Sequence, residues 1–518
     1  MTTAGAGRRD TGGAMLTLLG SLLLLAVWTV GGRAGWARGM VVTPLEAIGP
    51  LRDDRSREVY LRALRATAGA AARGLLVGGV IGVAAAMVAS VIPATRRVVT
   101  RLAALSNATP WVVVGPILLI VLGRSRGPVG LAAIAALFPM FVSTYIGLVS
   151  TPPGGLDVVR AHGASRSVEL RAVRIPAAVP ATIDGLRLAG PAALAGAIFG
   201  EWYGAPRGIG VLLVSAMQNA RADRLWAASL LAVALAGALY GVLGLLAGRV
   251  DRHFGTAATA TAIPRRPFSA RRLVVDAAGS FVFTIVLVAV WWGWIEVRNV
   301  SPLVLPRPAR VANDIVEHAG SYAVSAAHTL ATAGIALVIG SVVGVLAAVL
   351  SAMSRVISGL STPVVVGLAA TPLVAVFPLL ARVFGYGPAT VRALAAVMVF
   401  FPVFVHTRSG LLSTPPGARD VVDSFGAGRW NAFARVVFPA AVPRMATGLR
   451  LAVASSVVAA VVGESLIGRQ GLGVDFTYAY NLNHPASAFG AAVVIVVVSL
   501  VVFALATAGE AVVHARWN

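Results

Sequence analysis

The chain has 518 residues, of which 58% are hydrophobic and 12% charged, with a mean hydropathy of +0.83. So little polar surface cannot cover a water-soluble globule of this size, which leaves the membrane as solvent. The formal charge of +23 comes from arginines scattered between apolar runs, without a compact basic domain or an aromatic-interleaved patch, and this argues against nucleic acid as a partner. There is no cysteine, so disulfides and thiolate metal sites are excluded. All 43 Lys and Arg residues are arginine. A GxxxxGK[ST] loop needs its lysine to reach the phosphates, so any ATP must be hydrolysed on another polypeptide.

A helix needs roughly 20 apolar residues to cross about 30 Å of hydrocarbon. In chain order, such runs lie near Met15 to Val30, Thr67 to Ala89, Leu102 to Leu122, Val129 to Val149, Leu186 to Tyr203 and Leu225 to Leu246. A second set follows near Leu273 to Ile295, Thr329 to Ser351, Ile357 to Ala381, Val391 to Leu411, Leu449 to Ile467 and Ala488 to Ala506. Arg8 and Arg9 precede the first run, but no small-x-small cleavage site follows, so it reads as an uncleaved helix. The stretch PLRDDRSREVYLRALR, Pro50 to Arg65, reads as an amphipathic helix lying on the outer membrane surface. Between the two sets, residues 249–272 read as a flexible linker whose six arginines favour the cytoplasmic face.

The five residues PAAVP stand at Pro176 to Pro180 and again 263 residues on, at Pro439 to Pro443. The same offset relates Gly163 to Gly426, Gly185-Leu186-Arg187 to Gly448-Leu449-Arg450, Glu201 to Glu464 and Gly208 to Gly471. A duplicated module follows. The expected fold is an all-α membrane protein of about 12 transmembrane helices in two six-helix units, residues 1–248 and 273–518, related by pseudo-two-fold symmetry. Six spans separate the two PAAVP copies, so both emerge on one side of the membrane.

The polar stretches around them, residues 150–180 and 413–443, each open with a Pro-Pro turn that stops the preceding span. A short helix is expected from Asp157 or Asp420, with the acid placed for the helix dipole. Gly163 or Gly426 then interrupts it, and a second short helix is expected to end at Pro176 or Pro439.

This segment resembles the EAA loop of bacterial ABC importer permeases, whose pattern is EAA, three residues, Gly, nine residues, I-x-L-P. Asp157-Val158-Val159, Gly163, Val173, Ile175 and Pro176 match it, as do Asp420-Val421-Val422, Gly426, Val436, Phe438 and Pro439. Both copies depart from the pattern in their first three residues. The wording GASR, the GLRLA following PAAVP, the later GE and GxG, and Val300 to Val311 are similar to the nitrate, sulfonate and taurine type of permease.

The resemblance implies that the two loops are coupling helices, docking into a cytoplasmic ABC ATPase dimer that carries ATP with magnesium, while this chain binds no cofactor or metal. The loop residues so implied are Asp157, His162, Gly163, Ala164, Arg166 and Pro176, with Asp420, Phe425, Gly426, Ala427, Arg429 and Pro439. Further implied partners are a periplasmic or lipid-anchored solute-binding protein, a small anionic or organic solute and membrane lipid. The implied location is a bacterial inner membrane, with both termini cytoplasmic. The loop copies differ at Arg160-Ala161-His162 against Asp423-Ser424-Phe425, and at Ser167 against Trp430. Either unequal ATPase grooves or drift at exposed positions accounts for this. A rival reading is an ion-gradient-driven secondary transporter of two parallel six-helix repeats, which calls for mid-span carboxylates.

Ionisable residues within spans are candidate pathway residues. Glu201 and Glu464 either serve structure, capping the short helix that follows each or bonding across the interface of the halves, or form a gate or solute contact near the outer mouth. Arg73 either pairs with an anionic solute or snorkels to the interface. Pro110 and Pro372 in the third spans, and Pro139 and Pro402 in the fourth, either free carbonyls to line a path or kink the helix. His406, matched by Ser143 in the first half, serves packing or binds a ligand.

Overall fold

A computed structural model describes the chain apart from residues 1–10, 40, 93–94, 97, 101, 104–110, 152, 220, 255–269, 303–304, 355, 362–376, 378–379, 382, 415–416, 418–423, 425, 427 and 518. The first unit comprises α1 (Thr11–Arg33), α2 (Asp54–Val91), α3 (Trp111–Leu122), α4 (Gly127–Val149), α5 (Pro153–Ala161), α6 (Ile175–Trp202), α7 (Ile209–Gln218) and α8 (Ala222–Phe254). The second comprises α9 (Ala270–Arg298), α10 (Pro308–Glu317), α11 (Ala319–Met353), α12 (Pro388–Leu412), α13 (Phe438–Ile467), α14 (Leu472–Asn481) and α15 (Pro485–Trp517). Eight spans among the described residues are long and apolar enough to cross a membrane: α1, α2, α4, α8, α11, α12, α15, and α13 with the turn before it. The expected span Ile357 to Ala381 and the linker lie largely outside the described residues.

Each unit is built on close helix crossings made by small residues. Gly74, Gly78 and Gly82 recur one turn apart on α2 and press against α4. A Cβ on Gly78 would stand 2.1 Å from the Ala133 carbonyl oxygen. Gly340 repeats this on α11, with a Cβ 2.5 Å from the Ala396 carbonyl of α12. Such approach gains dispersion between backbones where lipid offers no hydrophobic drive. The main core then runs through both units, joining Leu194, Phe199 and Leu213 to Val461, Leu472 and Phe476. The N-terminal helix crosses over as well. A Cβ on Gly20 of α1 would lie 2.6 Å from the Leu360 carbonyl oxygen, and one on Gly359 would lie 2.4 Å from Leu16 Cβ.

Three sequence expectations need correction. Residues 54–65 are no separate surface helix: they are the outer turns of α2, a continuous helix of 38 residues. At 1.5 Å per residue it is about 57 Å long, so its charged outer part stands clear of the hydrocarbon. Asp53 starts it by accepting the Ser56 N–H at 2.9 Å. Second, the short helix after Gly163 does not end at Pro176. It runs from Arg166 through a π-helical turn, Leu170–Arg174, directly into α6. The second unit repeats this with Phe433–Val437 leading into α13. Pro176 and Pro439 sit in the first turn of these long helices, and the wider π turn accommodates a residue without an N–H. Third, α5 begins at Pro153, so Asp157 lies a turn inside it and has no first-turn role with the dipole.

Candidate functional site

The first loop is closed by Gly163. Its N–H bonds the Arg160 carbonyl at 2.9 Å, and the Ala164 N–H reaches back to Val159 at 3.1 Å. With Gly163 at φ +72, this is a Schellman ending, in which a left-handed residue satisfies the last carbonyls of the helix. Gly426 adopts φ +68 in the second loop. Asp157, His162 and Arg166 are exposed, Ala164 is half-buried, and His162 Nδ1 lies 2.8 Å from the Val158 carbonyl. Arg429 opens the short helix Arg429–Ala432. Asp420, Phe425 and Ala427 lie outside the described residues.

The loops are secured by different chemistry. In the first, the Glu169 carboxylate takes Arg160 of α5 at 3.1 Å and Arg174 at 2.5 Å, and Arg174 also reaches the Leu148 carbonyl of α4. One acid thus fastens α5 to both membrane helices flanking it. The second copy has Asp423, Ala432 and Val437 at these positions and instead stacks Trp430 on Phe433 at 5.7 Å, with Phe438 beyond. Sequence reasoning missed the staple because it is not repeated.

Arg160 and then Arg174 hold the Glu169 carboxyl below the usual carboxylate range. A carboxyl depressed on folding stabilises above its unfolded pKa and ceases to as pH falls through the folded one. The staple is therefore intact at neutral pH and lost only below the ordinary glutamate range, about 4.3. Glu169→Gln is expected to raise trypsin cleavage within residues 160–174 severalfold at neutral pH and to leave residues 423–437 unchanged, as read by peptide mass spectrometry.

At the opposite ends of α6 and α13, each unit holds a buried carboxylate clamp. Glu201 Oε1 accepts from Thr67 Oγ1 of α2 at 2.8 Å, and its Oε2 accepts the Gly210 N–H at 2.8 Å. Thr67 Oγ1 in turn accepts the Ile209 N–H at 2.8 Å. Glu464, Thr329, Leu472 and Gly473 repeat the pairs at 2.8, 3.0 and 3.1 Å, except that Glu464 Oε2 accepts both the Thr329 hydroxyl and the Gly473 N–H. Two N–H groups at the start of α7 or α14, which have no intrahelical partner, are thereby satisfied. Gly208 and Gly471 enter these helices at φ +148 and +117 and lie flat against the carboxylates. The threonines escaped sequence reasoning, although their recurrence 262 residues apart was a readable signal.

The family model described as "Binding-protein-dependent transport system inner membrane component" matches residues 78–256 and again 340–517, in the spacing of the sequence repeat. The chain belongs to this family. It is a fused tandem permease of an ABC importer, a multi-pass inner-membrane transport subunit. A probable ABC transporter permease protein of Haemophilus influenzae is 30% identical over 42% of this chain and 89% of its own length. The riboflavin transport system permease protein RibX of Chloroflexus aurantiacus is 31% identical over 50% of this chain and 97% of its own. The taurine transport system permease protein TauC of Escherichia coli is 27% identical over 36% and 71%.

The remaining pathway candidates of the permease do not converge. Arg73 lies on the exposed face of α2 with Leu76, Val77 and Val80, and its Nε donates to the Gly69 carbonyl at 2.9 Å. Pro139 and Ser143 face Gly185, and Pro402 and His406 face Gly448, at the tight crossings of α4 with α6 and of α12 with α13. His406 is half-buried there. Pro110 and Pro372 lie outside the described residues.

Proposed function

We propose that this permease is driven by a separate cytoplasmic ATPase dimer, engaged from one side by its two loops, while a periplasmic or lipid-anchored binding protein delivers solute to the other face. The observation that carries this reading is the left-handed loop glycine found in both copies, followed in each by a short helix that runs through a π turn into a long membrane helix. Force applied at the short helix after Gly163 then reaches α6 through unbroken helix, and the Glu169 staple ties α5 to it, which suits rigid-body alternation between two discrete arrangements. ATP with magnesium would reside on the ATPase, since this chain has no lysine for a phosphate loop. Both termini face the cytoplasm in this scheme. The solute is a small organic or anionic molecule, a class supported by relatives whose names specify formylaminopyrimidine, riboflavin and taurine.

Gly163→Val and Gly426→Val test the coupling. A Cβ meets nothing within 4 Å at either glycine, so the substitution strains only the turn, at about 1–2 kcal/mol. Tagged chain purified in mild detergent is expected to carry ATPase activity, reduced severalfold by each change and abolished by both, with an unaltered size-exclusion profile. A chain that purifies alone and moves solute on an ion gradient without ATP would sink the proposal.

A further inference from the structure

The second unit holds negative charge that the first does not. Along one face of α11 the groups Tyr322, Ser325 and Thr329 follow one another a turn apart, with His318 at the outer end. Each hydroxyl meets a carboxylate from another helix. Tyr322 Oη donates to Asp314 Oδ2 at 2.6 Å, and Ser487 Oγ donates to Asp314 Oδ1 at 2.6 Å. Ser325 hydrogen-bonds Asp475 of α14, and Thr329 holds Glu464. The row passes from the exposed His318, whose Nδ1 lies 3.4 Å from Asp314 Oδ1, to the buried Glu464.

The first unit serves as an internal control. Its Tyr60 bonds the Arg224 carbonyl as Tyr322 bonds that of Ser487, so the register is the same. Yet Ala63 stands in place of Ser325 and Leu212 in place of Asp475. There both Glu201 oxygens are hydrogen-bonded. In the second unit the Glu464 carboxylate gives one oxygen to the clamp and leaves Oε1 buried with no hydrogen-bond partner, in a residue only 4% exposed. Asp475 Oδ2 is likewise buried and unpartnered. Asp475 stands in the first turn of α14, directly after the Leu472 and Gly473 N–H groups that Thr329 and Glu464 hold, and among the described residues neither acid forms an ion pair. Two like charges held together out of water need a counter-charge.

We infer that the second unit binds a monovalent metal cation between Glu464 and Asp475, with the Ser325 hydroxyl beside it. The donors are hard oxygens, the type alkali and alkaline-earth ions take. Two carboxylates and one hydroxyl are too few donors for a dehydrated divalent ion, and a proton on one acid leaves a single charge to balance.

The test uses the full chain in lipid nanodiscs, comparing sodium chloride with N-methyl-D-glucamine chloride at equal ionic strength. The unfolding midpoint is expected to rise by several degrees with sodium, saturably, in the unaltered chain. Asp475→Leu, which installs the residue of the first unit, should flatten the response, and Ser325→Ala should weaken apparent affinity at least tenfold. If Asp475→Leu fails to fold, Asp475→Asn carries the same comparison. A midpoint equal in both salts that falls only as pH rises means protons neutralise the pair, and it overturns the site; so does an unchanged sodium response in both Asp475 variants. The inference stands apart from ATPase coupling, whose assay is read separately.

Discussion

Gly208→Ala and Gly471→Ala are each expected to remove most of the folded permease from a fluorescence-detected size-exclusion profile. At Gly208 a Cβ would stand 2.0 Å from Glu201 Cδ, and at Gly471 2.4 Å from Glu464 Cδ. Those carboxylates cannot swing away, because each is fixed by a threonine hydroxyl and a backbone N–H. Moving one leaves buried donors unpaired, at about 1–3 kcal/mol each. Backbone forced at φ +148 or +117 adds roughly 1–3 kcal/mol. The sum approaches the 5–15 kcal/mol or so that keeps a typical protein folded. Gly237→Ala supplies the control: it is mid-helix in α8 with nothing near its Cβ, so it should be neutral or slightly stabilising. Near-normal yield of both clamp variants would show that the carboxylates are not held as described.

Arg450→Ala is expected to destabilise far more than Asp184→Ala, although both disrupt the same repeated arginine. Arg450 Nε approaches Glu510 Oε2 of α15 to 2.7 Å, as an ion pair too bent for a hydrogen bond. Glu510 Oε1 also takes Thr447 Oγ1 at 2.6 Å, and its side chain is only 8% exposed. Removing the guanidinium leaves that carboxylate with Thr447 and with His514 at 3.7 Å, and still costs about 3 kcal/mol. In the first unit the acid sits instead on the arginine's own helix. Asp184 is 56% exposed and 3.5 Å from Arg187, a pair worth about 0–1 kcal/mol. Tyr240 and Phe503 stack on the respective guanidinium groups at 5.4 and 5.5 Å; Arg450→Ala also removes its aromatic contact while Asp184→Ala keeps the other, which adds about 0.5–1 kcal/mol to the difference. Thermal midpoints in one detergent decide the matter, and Arg450→Met with Glu510→Met should recover most of the loss because no charge is then left buried. Equal shifts for Arg450→Ala and Asp184→Ala would contradict the buried pairing.

The two units, the loop glycines and the helical class were legible because each rests on a pattern spread over many residues. A repeat reports itself even when single positions drift. What escaped were features that belong to one residue or one unit. The charges of Pro50 to Arg65 read as a surface segment, since hydropathy does not reveal that α2 continues unbroken out of the bilayer. Pro176 read as a stop, because the rule against internal proline takes no account of a preceding π turn. Thr67 and Thr329 were lost inside apolar runs, where a hydroxyl contributes little to the average. Glu169 has an alanine counterpart, and a comparison of repeats hides whatever one copy holds alone. Glu201 and Glu464 were found by their charge, but the threonine hydroxyls that hold them stand 134 and 135 residues away in the chain.

The crossing of α1 onto the second unit sets a timetable for biogenesis. Gly20 leaves the ribosome long before its neighbour Leu360, and at roughly 5–20 residues per second the interval is on the order of 20–70 s. Until then the lipid-facing side of that helix has no protein beside it, and the first unit stays open at one edge. Covalent fusion guarantees that the matching half arrives in the same bilayer, in equal number and from the same translation event, which two separate messages would not ensure.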